Sequence, residues 1–354
     1  MSCYHPLKAF DTGYKTDNGK PAYIIKPYNW QFIKKPIERY YAVEEKSQKP
    51  WHVYTDKIIT DFIEIPCGKC WGCRLEYSKQ WAMRCMLEAK DHENNQFITL
   101  TYDDEQLPKH KVVDTETGEV FEEETLAPED LQRFLKKLRR YYEYHYNYGK
   151  NQIKFYACGE YGDKKGRPHY HAIIYDLPIP DKKLKCIDKK GSKLYTSEVI
   201  SKIWGKGLVG IADVTYESCA YVARYVMKKV KGKEAIEELE ANGKVNCFTR
   251  MSRKPGIGRK YYDENAGKIY ECDEIWLKNK YGPLQCKPPR YYDKLFDIDQ
   301  PERMAEIKEN RINVARMNEA TRLIESGGED KLEYLARMEQ IKIDKIKRLK
   351  RALD

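Results

Sequence analysis

The stretch Gly159-Glu-Tyr-Gly-Asp-Lys-Lys-Gly-Arg-Pro-His-Tyr-His171 constrains the structure of this chain more than any other part of its sequence. Its centre, residues 162–168, is rich in Gly and Pro, which favour turns. The flanking runs 153–157 and 169–175 are rich in β-branched and aromatic residues and are predicted to be strands. The sequence therefore predicts a hairpin that lies within an antiparallel sheet.

The predicted hairpin carries a candidate metal site. Residues two apart on a strand project from the same face, so His169 and His171 present two imidazoles side by side. Glu160, on the preceding strand, is expected to approach them through hairpin pairing. Two imidazole nitrogens and one carboxylate can hold a divalent cation that still accepts substrate oxygens. Half-buried histidines that hydrogen-bond the backbone have the same sequence pattern, so this motif alone leaves both interpretations open.

A helix predicted from about residue 218 to residue 230 carries a candidate nucleophile. Tyr221 and Tyr225 are four residues apart and so share one helix face, and Lys228 and Lys229 follow within the next turn. A tyrosine hydroxyl, with a pKa of about 10, is a poor nucleophile unless a cation stabilises its charge. A helix that packs two tyrosines against a sheet is the alternative.

Three motifs occur in a fixed order along the chain: Phe97-Ile-Thr-Leu-Thr101, His169-Tyr-His171 and Tyr221-x-x-x-Tyr225-x-x-Lys228. Together they resemble the HUH endonuclease superfamily. Within it, the sequence is most similar to the rolling-circle replication initiators of Microviridae phages of the gokushovirus type. Four further motifs carry this resemblance, which extends from about residue 66 to residue 262: Pro66-Cys-Gly-Lys-Cys-x-x-Cys-Arg74, Gly159-Glu-Tyr-Gly162, Arg167-Pro-His-Tyr-His171 and Ser252-Arg-Lys-Pro-Gly-Ile-Gly258.

The resemblance implies an α+β fold: a Rep-type central antiparallel sheet, ferredoxin-like or RRM-like, flanked by helices. It also implies roles for individual residues. Mg2+ or Mn2+ would bind to Glu160, His169 and His171. Tyr221 and Tyr225 would be the nucleophiles, and Lys228 the basic residue that follows them, with Lys229 as a competing candidate. Tyr170 departs from the family pattern, because an aliphatic residue is common between the two histidines.

The activity that the resemblance implies is metal-dependent, site-specific nicking and joining of single-stranded DNA through a 5′-phosphotyrosine. This chemistry would start and end rolling-circle replication at the viral origin, with host helicase and polymerase as partners. The alternatives are an HUH transposase or relaxase, and a non-catalytic single-stranded DNA-binding protein. The sequence has no Walker-type loop, so neither a fused helicase nor a nucleotide cofactor is expected.

The charge and aromatic content of the chain are compatible with a DNA partner. The formal net charge is +10, and there are 29 tyrosines, which can stack on unpaired bases. AT-rich coding also favours Tyr and Lys, and basic surfaces are often only solvated. The side chains predicted to contact DNA are Arg139, Arg140, Arg167, Arg224, Arg253 and Lys254.

The chain has eleven cysteines and no hydrophobic segment of signal-peptide type at its start. Reduced thiols in the cytoplasm of a bacterial host are therefore expected. Cys67, Cys70 and Cys73 have the spacing of zinc ligands, and a fourth ligand is expected from Cys85 or from outside the chain. Reduced thiols packed beside the following helix are the alternative.

The chain length of 354 residues exceeds the ~250–300 at which single cores stop growing. Four segments are predicted: an irregular region (1–62), the endonuclease domain (63–232), a basic and aromatic extension that contacts DNA (233–290) and a helical tail (291–354). Membrane spans need ~18 or more uncharged apolar residues, and none approaches that length, so neither a membrane-spanning nor a secreted protein is expected.

Overall fold

The computed structural model describes residues 3–17, 19, 21–41, 51–113, 117–149, 152–162, 166–187, 191–224, 230 and 232–351. The chain forms two compact units. The first unit combines Met1–Glu76 with Arg311–Asp354, and the second unit is Tyr77–Asn310.

The strands, in chain order, are β1 (Leu7–Lys15), β2 (Pro21–Pro27), β3 (Ile33–Tyr41), β4 (Trp51–Ile59), β5 (Phe62–Ile65), β6 (Gln96–Thr101), β7 (Lys109–Val113), β8 (Val120–Glu124), β9 (Lys154–Tyr161), β10 (Pro168–Tyr175), β11 (Lys183–Ile187), β12 (Lys193–Thr196), β13 (Val209–Asp213), β14 (Phe248–Met251), β15 (Ile275–Asn279) and β16 (Gly282–Cys286). The helices are α1 (Trp71–Ala89), α2 (Pro128–Tyr146), α3 (Glu198–Trp204), α4 (Tyr216–Arg224), α5 (Lys233–Ala241), α6 (Arg259–Cys272), α7 (Arg290–Asp299), α8 (Pro301–Glu325) and α9 (Lys331–Arg351).

The second unit is built on a large antiparallel sheet. Among the described residues its strand order is β11-β12-β13-β6-β10-β9-β14, and each pair of neighbours is antiparallel. The predicted hairpin is confirmed, because β9 and β10 pair directly, and β10 also pairs with β6. The α+β class and the central antiparallel sheet are therefore as predicted.

Helices cover both faces of this sheet. On one face, α2 and α3 contribute buried side chains that pack with Tyr170, Ala172 and Ile174 of β10. On the other face, α1 and α4 pack with Ile173 and Tyr175 of the same strand. Because successive side chains of β10 enter different cores, its register fixes which residues lie in each core.

Local signals explain where the flanking helices begin and end. Pro128 stands at the start of α2, and Glu129 and Asp130 in its first turn favour the positive end of the helix dipole. Helix α3 begins after Ser197, whose hydroxyl accepts a hydrogen bond from the Ile200 amide, and ends at Gly205 in the left-handed conformation.

The first unit corrects one prediction. Residues 1–62 were expected to be irregular, but the described part of this region forms strands. Strands β2, β1 and β5 make an antiparallel sheet, and β3 pairs with β4 as a hairpin. Many side chains of β1 and β2 are exposed, so these strands lack an apolar alternation. Pairing with neighbouring strands supplies the order that the sequence pattern does not indicate.

The remaining segments contain regular structure. Strand β14, from the predicted extension 233–290, joins the edge of the large sheet beside β9. Helix α6 packs with α7 and the β15–β16 hairpin around Tyr262, Tyr270 and Tyr292. The predicted helical C-terminal region is confirmed by α7, α8 and α9. Across the described residues, no helix has the length and apolar character that crossing a membrane requires.

Candidate metal centre and nucleophile

The large sheet brings three candidate metal ligands together. Glu160 lies directly opposite His169 in the β9–β10 ladder, and His171 is two residues further along β10 on the same face. The Oε1 atom of Glu160 lies 3.0 Å from Nε2 of His169 and 3.1 Å from Nε2 of His171. One ligand atom from each residue lies within 4.8 Å of the other two. The structure therefore groups these three residues as the sequence predicts.

Hydrogen bonds at the opposite nitrogen hold each imidazole in place. The Nδ1 atom of His169 is 3.1 Å from the carbonyl oxygen of Arg167, and that of His171 is 3.0 Å from Oγ1 of Thr99 on β6. Histidines that bind metals usually have such a partner on the second ring nitrogen. The donor set of two Nε2 atoms and one carboxylate oxygen fits a divalent cation with open coordination positions.

The site is mostly buried but has an exposed side. Glu160 is 1% exposed and His171 5%, whereas 41% of Tyr221 is exposed. The Tyr221 ring lies on α4, with its centroid 5.2 Å from the His171 ring and 6.3 Å from the Phe97 ring. Phe97 in turn stacks on His171 at 5.6 Å. A solvent-accessible tyrosine thus contacts one of the candidate ligands.

The other predicted catalytic residues, Tyr225, Lys228 and Lys229, lie outside the described residues. The structure describes helix α4 as far as Arg224.

Sequence reasoning quoted the strand Phe97–Thr101 but assigned no role to Phe97 or Thr99. The indication was the two-residue alternation that puts Phe97, Thr99 and Thr101 on one face. In the β6–β10 ladder, Thr99 lies opposite His171 and Thr101 opposite His169, so this face adjoins the histidine pair.

Tyr170 projects into the opposite core. Its hydroxyl donates to the carbonyl oxygen of Ala127 at 2.8 Å, accepts from the Ala127 amide at 3.0 Å and lies 2.8 Å from the Tyr102 hydroxyl. Burial raises the pKa of Tyr170 to about 12, so this hydroxyl stays protonated at neutral pH. Tyr170 therefore occupies its slot between the histidines as a core residue.

The side chains predicted to contact DNA have different environments. Arg139 donates to the carbonyl oxygen of Ile153, and Arg167 is bound by Asp104 and by the carbonyl oxygen of Tyr102. The remaining four are exposed: Arg140, Arg224, Arg253 and Lys254.

A second group of metal-ligating side chains lies in the first unit. It contains the predicted Cys67, Cys70 and Cys73, with their sulfur atoms and that of Cys3 all within 4.8 Å of one another. The expectation that Cys85 supplies the fourth ligand is wrong, because Cys85 lies in the core between α1 and the large sheet. Burial opposes ionisation of Cys70, but hydrogen bonds from the amides of Cys73 and Tyr4 outweigh it and lower its pKa to about 7.

A Rep-type antiparallel sheet, a histidine pair with a carboxylate and a neighbouring tyrosine define the class: this is a rolling-circle replication initiator. Comparison with known proteins agrees. Residues 95–230 match the family model of the replication-associated protein ORF2. No solved structure matches the chain significantly.

Three viral proteins are similar to this chain. Replication-associated protein ORF2 of Spiroplasma virus 4 is 36% identical over 82% of this chain and 85% of its own length. Replication-associated protein VP4 of Bdellovibrio phage phiMH2K is 30% identical, covering 72% and 75%. Replication-associated protein ORF4 of Chlamydia phage 1 is 37% identical, covering 66% and 53%. The chain belongs to this family of microvirus replication-associated proteins.

Proposed function

We propose that this phage replication initiator is an HUH-type nickase, a DNA endonuclease and strand transferase that uses a tyrosine nucleophile. The observation that carries the proposal is the contact between the exposed Tyr221 ring and the His171 ring, 5.2 Å apart. A phosphodiester bound against the His171 side of the site would thereby lie beside a hydroxyl able to attack it.

The proposed cofactor is Mg2+ or Mn2+, held by Glu160, His169 and His171. When bound, the cation would polarise the scissile phosphate and offset the charge that develops on its oxygens. The chain's own contribution is positional. Thr99 and the carbonyl oxygen of Arg167 fix the two rings, so that both Nε2 atoms point toward Glu160.

The tyrosine carries out the covalent step. Its Oη atom attacks phosphorus and loses its proton, a new O–P bond forms, and the bond from phosphorus to the 3′-oxygen breaks. The 3′-oxygen takes up a proton and leaves as a free hydroxyl that can prime a polymerase. The 5′ end stays joined to the tyrosine, so the energy of the broken bond is kept for rejoining. No nucleotide cofactor is required.

A second tyrosine suits the end of the replication round. Tyr225, four residues after Tyr221, is the candidate. One tyrosine would hold the first 5′ end while the other cleaves the regenerated origin, and the released 3′-hydroxyl would attack the first linkage and close a circle. Lys228 or Lys229 would stabilise the phenolate.

The proposed substrate is single-stranded DNA at the viral origin, because a base-paired strand would not readily reach a tyrosine beside a mostly buried site. The basic residues predicted from the sequence would contact its backbone, with exposed Arg140, Arg224, Arg253 and Lys254 the better placed. We place the reaction in the cytoplasm of the bacterial host, where host helicase and polymerase would extend the primer.

The test is covalent adduct formation. Purified protein is incubated with Mn2+ and labelled single-stranded oligonucleotides tiling the replicon that encodes it, and the products are separated on a denaturing protein gel. We expect an adduct on the tile that contains the origin. It should disappear with EDTA and in the double variant Tyr221→Phe/Tyr225→Phe.

The matched control is Tyr144→Phe, since Tyr144 is 84% exposed and lies on α2, outside the described ligand group. It should form the adduct normally. DNA binding without an adduct on any tile would overturn the proposal in favour of a non-catalytic binding protein. An adduct that forms only on transposon-end or transfer-origin sequences would favour a transposase or relaxase.

A further inference from the structure

Four cysteines from two distant parts of the sequence meet beside the β1–β5 ladder. Cys3 precedes β1, and Cys67 follows β5. Because Leu7 pairs with Ile65, the ends of these two antiparallel strands lie together. The amide of Cys67 donates to the sulfur of Cys3 at 3.3 Å, which fixes the two residues to each other.

The local chain conformation folds the other sulfurs toward the same point. Gly68 has a φ of +71°, a value that favours glycine, and it turns the chain between Cys67 and Cys70. The amides of Lys69 and Cys70 then donate to the Cys67 sulfur at 3.4 and 3.3 Å. Such donors offset the negative charge that a thiolate carries when it binds a metal.

The same pattern is repeated at the next sulfur. The amides of Tyr4 and Cys73 donate to Sγ of Cys70 at 3.4 and 3.5 Å. The Cys70 sulfur therefore accepts amides from both of the chain segments that form the cluster.

The sulfur spacing matches a tetrahedral metal and excludes a disulfide. Zinc–sulfur bonds of about 2.3 Å place tetrahedral sulfurs ~3.8 Å apart. Sγ of Cys70 lies 3.9 Å from Sγ of Cys3, and all four sulfurs lie within 4.8 Å of one another. A disulfide requires about 2.05 Å, and all four cysteines are free thiols.

We propose that Cys3, Cys67, Cys70 and Cys73 form a closed structural zinc site. The first unit has reason to need one. Its buried apolar side chains, among the described residues, are few: Cys3, Ala9, Phe10, Ile33 and Cys70. A core of this size gives little hydrophobic stabilisation, and small units of this kind are often stabilised by a metal.

The test is zinc content and cobalt spectroscopy on the full-length protein. The protein is expressed with added zinc and purified under reducing conditions without chelator. We expect about one tightly held zinc per chain, as a four-thiolate site requires. Replacement of zinc by Co2+ should produce the intense sulfur-to-cobalt charge-transfer absorption of a tetrathiolate, which nitrogen and oxygen ligands do not give.

Variants assign the zinc to this cluster. Cys3→Ser should lose most of the zinc and the charge-transfer band. The matched controls Cys186→Ser and Cys272→Ser change exposed thiols outside the cluster and should keep both. Glu160→Gln should also keep both, so the result is independent of whether the protein nicks DNA.

Three outcomes would overturn the proposal. One is wild-type protein with far less than one zinc per chain after reconstitution and no charge-transfer band, a result that does not depend on how Cys3→Ser folds. Another is iron with inorganic sulfide in place of zinc. The third is full zinc retention in Cys3→Ser.

Discussion

The two groups of metal-ligating side chains differ in donor type, number and setting. Glu160, His169 and His171 offer one oxygen and two nitrogens from neighbouring strands, with a half-exposed tyrosine against the edge of the group. The cysteine group offers four sulfurs from turns and chain ends, two of them buried. Three hard or borderline donors leave coordination positions for a substrate, whereas four thiolates leave none. The donor count thus separates a centre suited to chemistry from one suited to holding the chain together.

The largest expected effect separates the two groups directly. Glu160→Gln removes the carboxylate charge and keeps the side-chain shape. We expect adduct formation at fixed Mn2+ to fall by at least about 100-fold, because a bound cation contributes several kcal/mol of charge stabilisation. Zinc content, measured on the same sample, should stay unchanged. Normal nicking would remove Glu160 from the centre, and loss of zinc would show that the groups are not independent.

A smaller effect is expected from the hydroxyl that fixes one histidine. Thr99→Val keeps the side-chain volume but deletes the hydrogen bond to Nδ1 of His171. The Mn2+ concentration needed for half-maximal adduct formation should rise about 10–100-fold, with activity recovered at high Mn2+. Thr99→Ser retains a hydroxyl and should behave like the wild type. Equal losses in the two variants would mean that packing, and not the hydrogen bond, matters at this position.

The smallest effect on the chemistry is expected on the other face of β10. Tyr170→Phe leaves the buried Ala127 amide without its hydroxyl partner. The free energy of unfolding should fall by about 1–3 kcal/mol in urea titrations, while the Mn2+ dependence of nicking is unchanged. Tyr144→Phe, on an exposed side chain, should leave both unaltered. A shift in the Mn2+ dependence would contradict the separation of the two faces of this strand.

Much of the second unit could be predicted from the sequence, because its elements have strong local patterns. The alternating run 97–102 and the hairpin strands are rich in β-branched and aromatic residues, and α2 has both a start pattern and an apolar face. The grouping of Glu160 with the histidines followed from the two-residue period of a strand and a turn of suitable length.

What could not be predicted depends on pairing between distant segments. Cys3 has no neighbouring cysteine to mark it, and it reaches Cys67 only because β1 pairs with β5. The role of Thr99 depends on the register between β6 and β10, which no local pattern states. Strands β1 and β2 were missed for a related reason, because their exposed side chains leave no apolar alternation in the sequence.

The β9–β10 hairpin also has a consequence for the order of assembly. Glu160 is only 9 and 11 residues away from the two histidines along the chain, and contacts between such close neighbours in sequence form early in folding. A growing polypeptide therefore completes the Glu160, His169 and His171 set before α4, with Tyr221, has been synthesised. Under the proposed function, the nascent protein would acquire its capacity to bind metal before its capacity to cut DNA.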